Sequence, residues 1–281
     1  MRLAYGLAVH KNEEQVQRLI EALQNERDVI LVHVDQKASP SFRAAIARTV
    51  ARYRTVRMLR SRNVVWGGWS QCEVTLASIR ELLEWQADWS HFINLSGQDY
   101  PIKTRSAIVR ELEGNPDANY IDIQSLSTTS REVRRRTRWL CVESARRIYQ
   151  LPIPVFSPRG LKIAWKGSNW HVLSRAFCEW ITSEPLAARC IAHIRHLKNP
   201  DELLMQCLIM NSPFVATLVP NDRRETIWNQ GARNPELLTM GHLRMLEAST
   251  AWFARKFDDA VDGDILPHLA RRLQHDAASS D

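Results

Sequence analysis

The opening of the chain alternates between two periodicities, and this limits the folds open to it. Short apolar runs at Leu3–Val9, Val29–Val34 and Val56–Leu59 read as buried strands. Between the first two, Val16, Leu19, Ile20 and Leu23 recur at helical spacing behind Asn12, which suits an N-cap. Between the second pair, residues 41–53 read as another helix. A βαβαβ start predicts a mostly parallel sheet with helices on its faces. Open sheets of that kind bind ligands beyond the carboxyl ends of their strands, so Asp35, at the end of the second run, is placed to meet one.

The pattern continues past this start. Trp66-Gly67-Gly68-Trp69 marks a tight turn before a helix over 71–85. A strand over 91–95 ends in Ser96-Gly97-Gln98-Asp99-Tyr100-Pro101, followed by a helix over 104–112 and a strand over 120–123. Residues 131–138 hold five arginines in eight positions. The prolines at 152, 154 and 158 predict loop. Residues 170–173 return as a strand before a helix at Arg175–Ser183, and the polar tail after Arg272 is expected to fray. No repeat or long low-complexity segment interrupts the chain. The reading is one domain over 1–281, with the arginine-rich stretch an excursion from its core.

The chain's 281 residues are ample for a buried core. No segment reaches the ~18 uninterrupted apolar residues of a membrane-spanning helix, and no cleavable leader is evident. Five cysteines, Cys72, Cys141, Cys178, Cys190 and Cys207, form no C-x-x-C pair, which argues for buried thiols in a reducing compartment. A net charge of +7 favours anionic partners, whether nucleotide phosphates, lipid surfaces or nucleic acid. No nucleic-acid motif accompanies the arginine cluster. It reads either as a solvated face, with Glu132 and Glu143 as partial counter-charges, or as peripheral contact with an anionic membrane.

Candidate chemistry gathers at Asn199-Pro200-Asp201-Glu202, ahead of an apolar run. Asn199 suits an N-cap, Pro200 the first helical position and Glu202 position N3. Glu202 can cap its own helix, or its carboxylate can take the proton of an attacking hydroxyl. Arg233 and Lys256 are either solvated cations or a pair for a diphosphate leaving group. Asp262-Gly263-Asp264 reads as a turn or cap, and His193 with His196, lacking the further ligands of a zinc site, reads as a surface face. No metal is expected. Trp66, Trp69, Trp170 and Trp228 are sugar platforms or core, and Asp99 binds a hydroxyl or caps its turn.

Seven segments in order resemble glycosyltransferase family 14, the core-2/I-branching β-1,6-N-acetylglucosaminyltransferases and protein O-xylosyltransferases. They are Ala8-Val9-His10-Lys11, His33-Val34-Asp35, residues 61–70, Phe92-Ile93-Asn94-Leu95-Ser96-Gly97-Gln98-Asp99-Tyr100-Pro101-Ile102-Lys103-Thr104, Lys166-Gly167-Ser168-Asn169-Trp170, Pro200-Asp201-Glu202 and Phe253-Ala254-Arg255-Lys256-Phe257-Asp258. They cover nearly the whole chain. The resemblance implies an α/β GT-A-like single domain, about 1–125 binding nucleotide and about 126–281 serving acceptor and catalysis. It also implies inverting transfer from a UDP-sugar to a glycan or glycoconjugate hydroxyl, without a metal. Glu202 would be the base, and Arg233 and Lys256 would replace the ion. Val9, His10 and Asp35 would line the uridine pocket, with Trp66 at the donor sugar. Ser168, Asn169, Trp170, Trp228 and Asp99 would meet acceptor or sugar.

The Trp-Gly-Gly turn looks more like the xylosyltransferase branch, whereas Asn169 stands where that branch tends to carry Asp. Other stretches resemble the N-acetylglucosaminyltransferases equally, so xylose and GlcNAc both remain as donor sugars. Lacking the stem, anchor and disulfide pattern of vertebrate relatives, the sequence suggests a bacterial-type cytoplasmic enzyme of polysaccharide biosynthesis, peripheral to the inner face of the membrane. Two rival readings are a non-catalytic nucleotide-sugar-binding protein and a nucleic-acid-binding α/β protein.

Overall fold

The computed structural model describes residues 1–85, 88–229, 231–232 and 234–278, and the side chain of Glu132 is outside that description. The first half runs β1 (Leu3–Val9), α1 (Glu13–Leu23), β2 (Val29–Val34), α2 (Pro40–Val50), β3 (Val56–Leu59), α3 (Trp69–Trp85), β4 (His91–Ser96), β5 (Asp99–Pro101), α4 (Arg105–Glu113), β6 (Asn119–Ile121) and β7 (Gln124–Ser125). The second half adds α5 (Arg131–Arg135), β8 (Trp139–Glu143), β9 (Ile148–Pro154), β10 (Trp165–Lys166), β11 (His171–Ser174), α6 (Arg175–Ser183), α7 (Pro185–Ile194), α8 (Leu204–Met210), β12 (Leu218–Val219), β13 (Arg224–Thr226), α9 (Leu243–Ala248), β14 (Phe253–Arg255) and α10 (Ile265–Ala278).

Seven strands form the central sheet in the order β12-β6-β11-β4-β1-β2-β3. Pairings are parallel except where β11 lies antiparallel between β4 and β6. This is the mostly parallel α/β arrangement expected from the alternation. Side chains of β1 divide with a period of two: Leu3, Tyr5, Leu7 and Val9 join one core cluster, and Ala4 joins the other. β2 divides likewise, with Ile30, Val32 and Val34 opposite Val29 and Leu31. Helices α1, α2, α4 and α10 cover the first face, and α3, α6, α7 and α8 the second. Burial on both faces explains why these strands read as continuous apolar runs. A smaller sheet, β13-β14-β5, closes the end where β4 finishes.

Several local expectations are corrected. Asn12 makes no side-chain cap; its backbone is left-handed and its side-chain Nδ2 donates to Asp258 Oδ1 at 2.8 Å. Residues 200–202 form a 3₁₀ turn, and α8 begins only at Leu204. Pro152 and Pro154 lie in the strand β9, paired with β8, because proline is tolerated on an exposed edge, whereas Pro158 is in loop as expected. The tail does not fray at Arg272, since Leu266 and Leu269 anchor α10 and the helix runs to Ala278. His193 is buried, not part of a surface face. All five cysteines are buried and free. No helix among the described residues is long and apolar enough to cross a membrane.

Candidate active site

The carboxyl ends of β1 and β2 meet at one rim of the sheet. Val9 turns its side chain into the core and offers its carbonyl, which accepts the Asp35 amide at 2.9 Å. Asp35 accepts the Lys37 amide at 2.8 Å, and its other oxygen lies 3.5 Å from Lys37 Nζ. The same ammonium donates to the Val64 carbonyl, tying this rim to the turn that carries Trp66. His10 follows β1 at the rim. Its pKa is lowered, first by desolvation and then by Lys11, with Asp35 opposing and Lys256 and Lys37 adding to the effect. Lys256 is itself held below the ordinary lysine range by desolvation, then by Arg255 and Lys11. Among the described residues its ammonium has no hydrogen-bond or ion-pair partner, whereas Lys11 is paired to Asp258 at 2.7 Å. Cations that depress one another in this way mark a place that favours an anion.

Glu202 ends the turn that begins at left-handed Asn199. Its carboxylate does not cap the turn. Oε1 accepts from Asn199 Nδ2 at 3.2 Å, and Oε2 accepts from Arg136 Nη1 at 3.0 Å, with Lys166 Nζ at 3.9 Å. The side chain is 32% exposed, so it keeps an open side. Two backbone bonds hold the turn. The Asn199 amide donates to Gly67 O at 3.1 Å, and the Gly167 amide donates to Glu202 O at 2.8 Å. Gly67 sits at φ +70°, a conformation glycine adopts without strain, and a Cβ there would crowd Asn199 Oδ1. Asp201 lines a small cavity with Cys72, Asn169, His171 and Met205, and its Oδ1 is buried without a partner among the described residues. Burial, and then the charge of Glu202, push its pKa up to about 7.

Residues 166–170 form the second link. Ser168 N donates to Asp122 at 2.9 Å, and the Ser168 hydroxyl accepts from Trp170 N at 3.1 Å. The Asn169 carbonyl accepts from Asn94 at 2.8 Å. Trp170 is half-buried with the Arg255 guanidinium 4.3 Å from its ring centroid, a cation–π stack. Arg255 in turn reaches Asp99 at 3.4 Å. Asp99 has 0% side-chain exposure and accepts from Ser96 N and Oγ, so it caps its turn and does not face the cleft. The Glu202 turn is thus tied through Gly167 to the segment whose Trp170 stacks on Arg255, the neighbour of Lys256, and through Gly67 to the turn whose Val64 carbonyl meets Lys37.

Trp66 is 73% exposed and Trp228 59%, as open aromatic faces should be, while Trp69 is buried in the core. Arg233 lies outside the described residues. Asp262 accepts from the amides of Met240, Asp264 and Ile265, the turn-and-cap role expected of Asp262-Gly263-Asp264. Among the described residues no three His, Cys, Asp or Glu side chains gather as a metal site. Three neighbours escaped the sequence reading: Arg136, Lys166 and Lys37. Lys166 lay inside a quoted motif. Arg136 was hidden among arginines assigned to the surface.

The family model for the Core-2/I-Branching enzyme matches residues 3–247. This chain belongs to that family. It is 30% identical to xylosyltransferase 2 of Mus musculus, over 96% of this chain and 33% of that protein. It is 31% identical to xylosyltransferase 2 of Homo sapiens with the same coverage. The chain therefore spans about a third of the length of these curated relatives. Among solved structures, mouse xyloside xylosyltransferase 1 in its apo form is similar at 13% identity and a TM-score of 0.42, covering 90% of this chain and 97% of that one.

Proposed function

We propose that the chain is a UDP-sugar-dependent inverting glycosyltransferase acting on a hydroxyl of a glycan or glycoconjugate. Family membership and the xylosyltransferase relatives support the activity class, and the same relatives favour xylose over GlcNAc as the sugar moved. The observation that supports the mechanism is the partly exposed Glu202 carboxylate, together with a Lys256 ammonium that has no partner among the described residues.

In this reading the acceptor oxygen attacks the anomeric carbon while Glu202 takes its proton. A carboxylate offers about four lone-pair positions, and Arg136 and Asn199 occupy two, which leaves room for the hydroxyl. UDP departs against Lys256 and Arg233, whose fixed positive charge does the work a divalent ion would do. The Val9 backbone, His10 and Asp35 receive the nucleoside, and Trp66 the donor sugar. Ser168, Asn169, Trp170 and Trp228 serve the acceptor side, with Asp99 acting only through Arg255. The division into a nucleotide-binding half over about 1–125 and an acceptor half beyond belongs to the same proposal, as does independence from metal.

Glu202→Gln should lower transfer by ~10²–10⁴-fold while leaving UDP binding by calorimetry unchanged. Near-normal turnover in that variant would refute the base. UDP affinity should not change with chelator, and a strict Mn²⁺ requirement would remove the metal-free part of the proposal. Stabilisation by UDP-xylose in preference to UDP-GlcNAc identifies the donor.

A further inference from the structure

The hairpin β8–β9 is held to the body through Cys141 and Glu143, and its outer side presents an apolar surface that none of the described residues covers. Val142 pairs with Tyr149, and Tyr149, Leu151 and Ile153 alternate along β9. All four are exposed, Ile153 at 51%, and Phe156 just beyond the strand is 81% exposed. Soluble surfaces carry single apolar residues freely, but a row along one face of an exposed strand, with an open phenylalanine two residues past its end, marks a contact surface.

The charge around this row is mostly positive. Residues 126–160 contain eight arginines and two glutamates. Of the glutamates, Glu143 is turned inward, accepting the Ser70 amide at 2.9 Å. Arg146 and Arg147 are exposed at the hairpin turn, and Arg147 lies 4.8 Å from the Tyr149 ring centroid. At the other end, the Arg138 carbonyl accepts from Val155, which places this exposed arginine beside Phe156. Arg131 and Arg135 extend the basic ground along α5. Arg136 is the exception, being committed to Glu202.

We propose that this hairpin docks the protein on an anionic lipid bilayer, with Phe156 and Ile153 entering the headgroup boundary and the flanking arginines binding lipid phosphates. An apolar row bordered by cations is the pattern of an interfacial anchor, in which burial and charge attraction act together. A protein strand is a poorer occupant. Pro152 and Pro154 remove amide donors from β9, which blunts it as a template for strand addition. The hairpin borders the turn that carries Trp66, but none of its exposed side chains changed below is assigned to donor or acceptor, so its test is read apart from that of the transfer reaction.

The full chain, without donor, is sedimented with vesicles of phosphatidylcholine and with vesicles of phosphatidylcholine and phosphatidylglycerol in equal parts. Binding is expected on the anionic vesicles only, weakening as salt rises. The double change Phe156→Ser with Ile153→Ser should weaken it about tenfold or more. Arg146→Glu with Arg147→Glu should do the same. Both variants should keep the thermal midpoint and UDP binding of the parent, because the four side chains are exposed. Equal binding to neutral vesicles, or anionic binding unchanged in either variant, overturns the proposal. So does gel filtration showing a dimer that Phe156→Ser dissociates, since the row would then be a contact between chains.

Discussion

Gly167 has no room for a methyl group, because a Cβ built there would overlap the backbone carbonyl of Asp122. Its amide also holds the Glu202 turn. Gly167→Ala must therefore move backbone, at a cost of about 1–3 kcal/mol. The displacement passes to Glu202, so kcat for transfer should fall further than the loss of folded protein explains. Gly160→Ala is the control. It meets nothing within 4 Å but sits at φ +84°, so it should cost about 1–2 kcal/mol and leave turnover intact. Urea titration beside single-temperature kinetics separates the two. Asp201 offers a second test. Its folded pKa of about 7 exceeds the ordinary 3.8, so the folded chain holds this proton more tightly than the unfolded one. The stability it contributes is present in acid and is lost as pH rises from about 4 through about 7. Asp201→Asn keeps a neutral group throughout and should raise the thermal midpoint at pH 8 but not at pH 4. The opposite order would show that the carboxylate is satisfied when ionised.

At the scale of elements, a carboxylate from the hairpin fastens the start of α3. Glu143 Oε2 accepts the Ser70 amide, one of the four donors a helix leaves unpaired at its first turn. A Cβ on Gly68 would overlap that carboxylate, which is why the turn needs glycine there. Glu143→Ala should cost ~0.5–2 kcal/mol, as other lost caps do, and free the hairpin turn for faster tryptic cleavage at Arg146 and Arg147. Glu143→Gln keeps an acceptor and should cleave nearly as slowly as the parent. This latch shows what the sequence could and could not tell. The strands β1 to β4 and the helices between them were legible because burial on both faces or on one writes a period into the residues. The hairpin was not. Its exposed strand has no apolar alternation with a buried face, and its prolines read as loop. Glu202 was singled out by its motif. Its partner Arg136 lies 66 positions away and is one of five arginines in eight, so only the folded chain reveals which one turns inward.

Across the whole molecule, the central sheet carries three histidines that burial keeps neutral. His33 on β2 and His91 on β4 are pushed down to about 4, and His171 on β11 to about 3, each chiefly by desolvation. The His33 Nε2 also accepts the Arg62 amide at 3.0 Å, a bond that protonation of that nitrogen would destroy. Below the ordinary value of 6.5 the unfolded chain takes up protons at these three sites while the folded chain refuses them. Stability must therefore fall as pH drops from about 6.5 toward 4. Asp201 acts with the opposite sign over much of that interval, but it is one group against three. The chain already carries a net charge of +7, so acid adds self-repulsion to the same trend. The thermal midpoint should be highest near neutrality and decline steadily between pH 6.5 and 4. Replacing His171 by Leu, of similar volume, removes one of the three buried sites and should flatten that decline by roughly a third, by linkage. A midpoint equal at pH 7.5 and 4.5, or a steeper decline in the variant, would mean that these histidines are free to charge within the sheet.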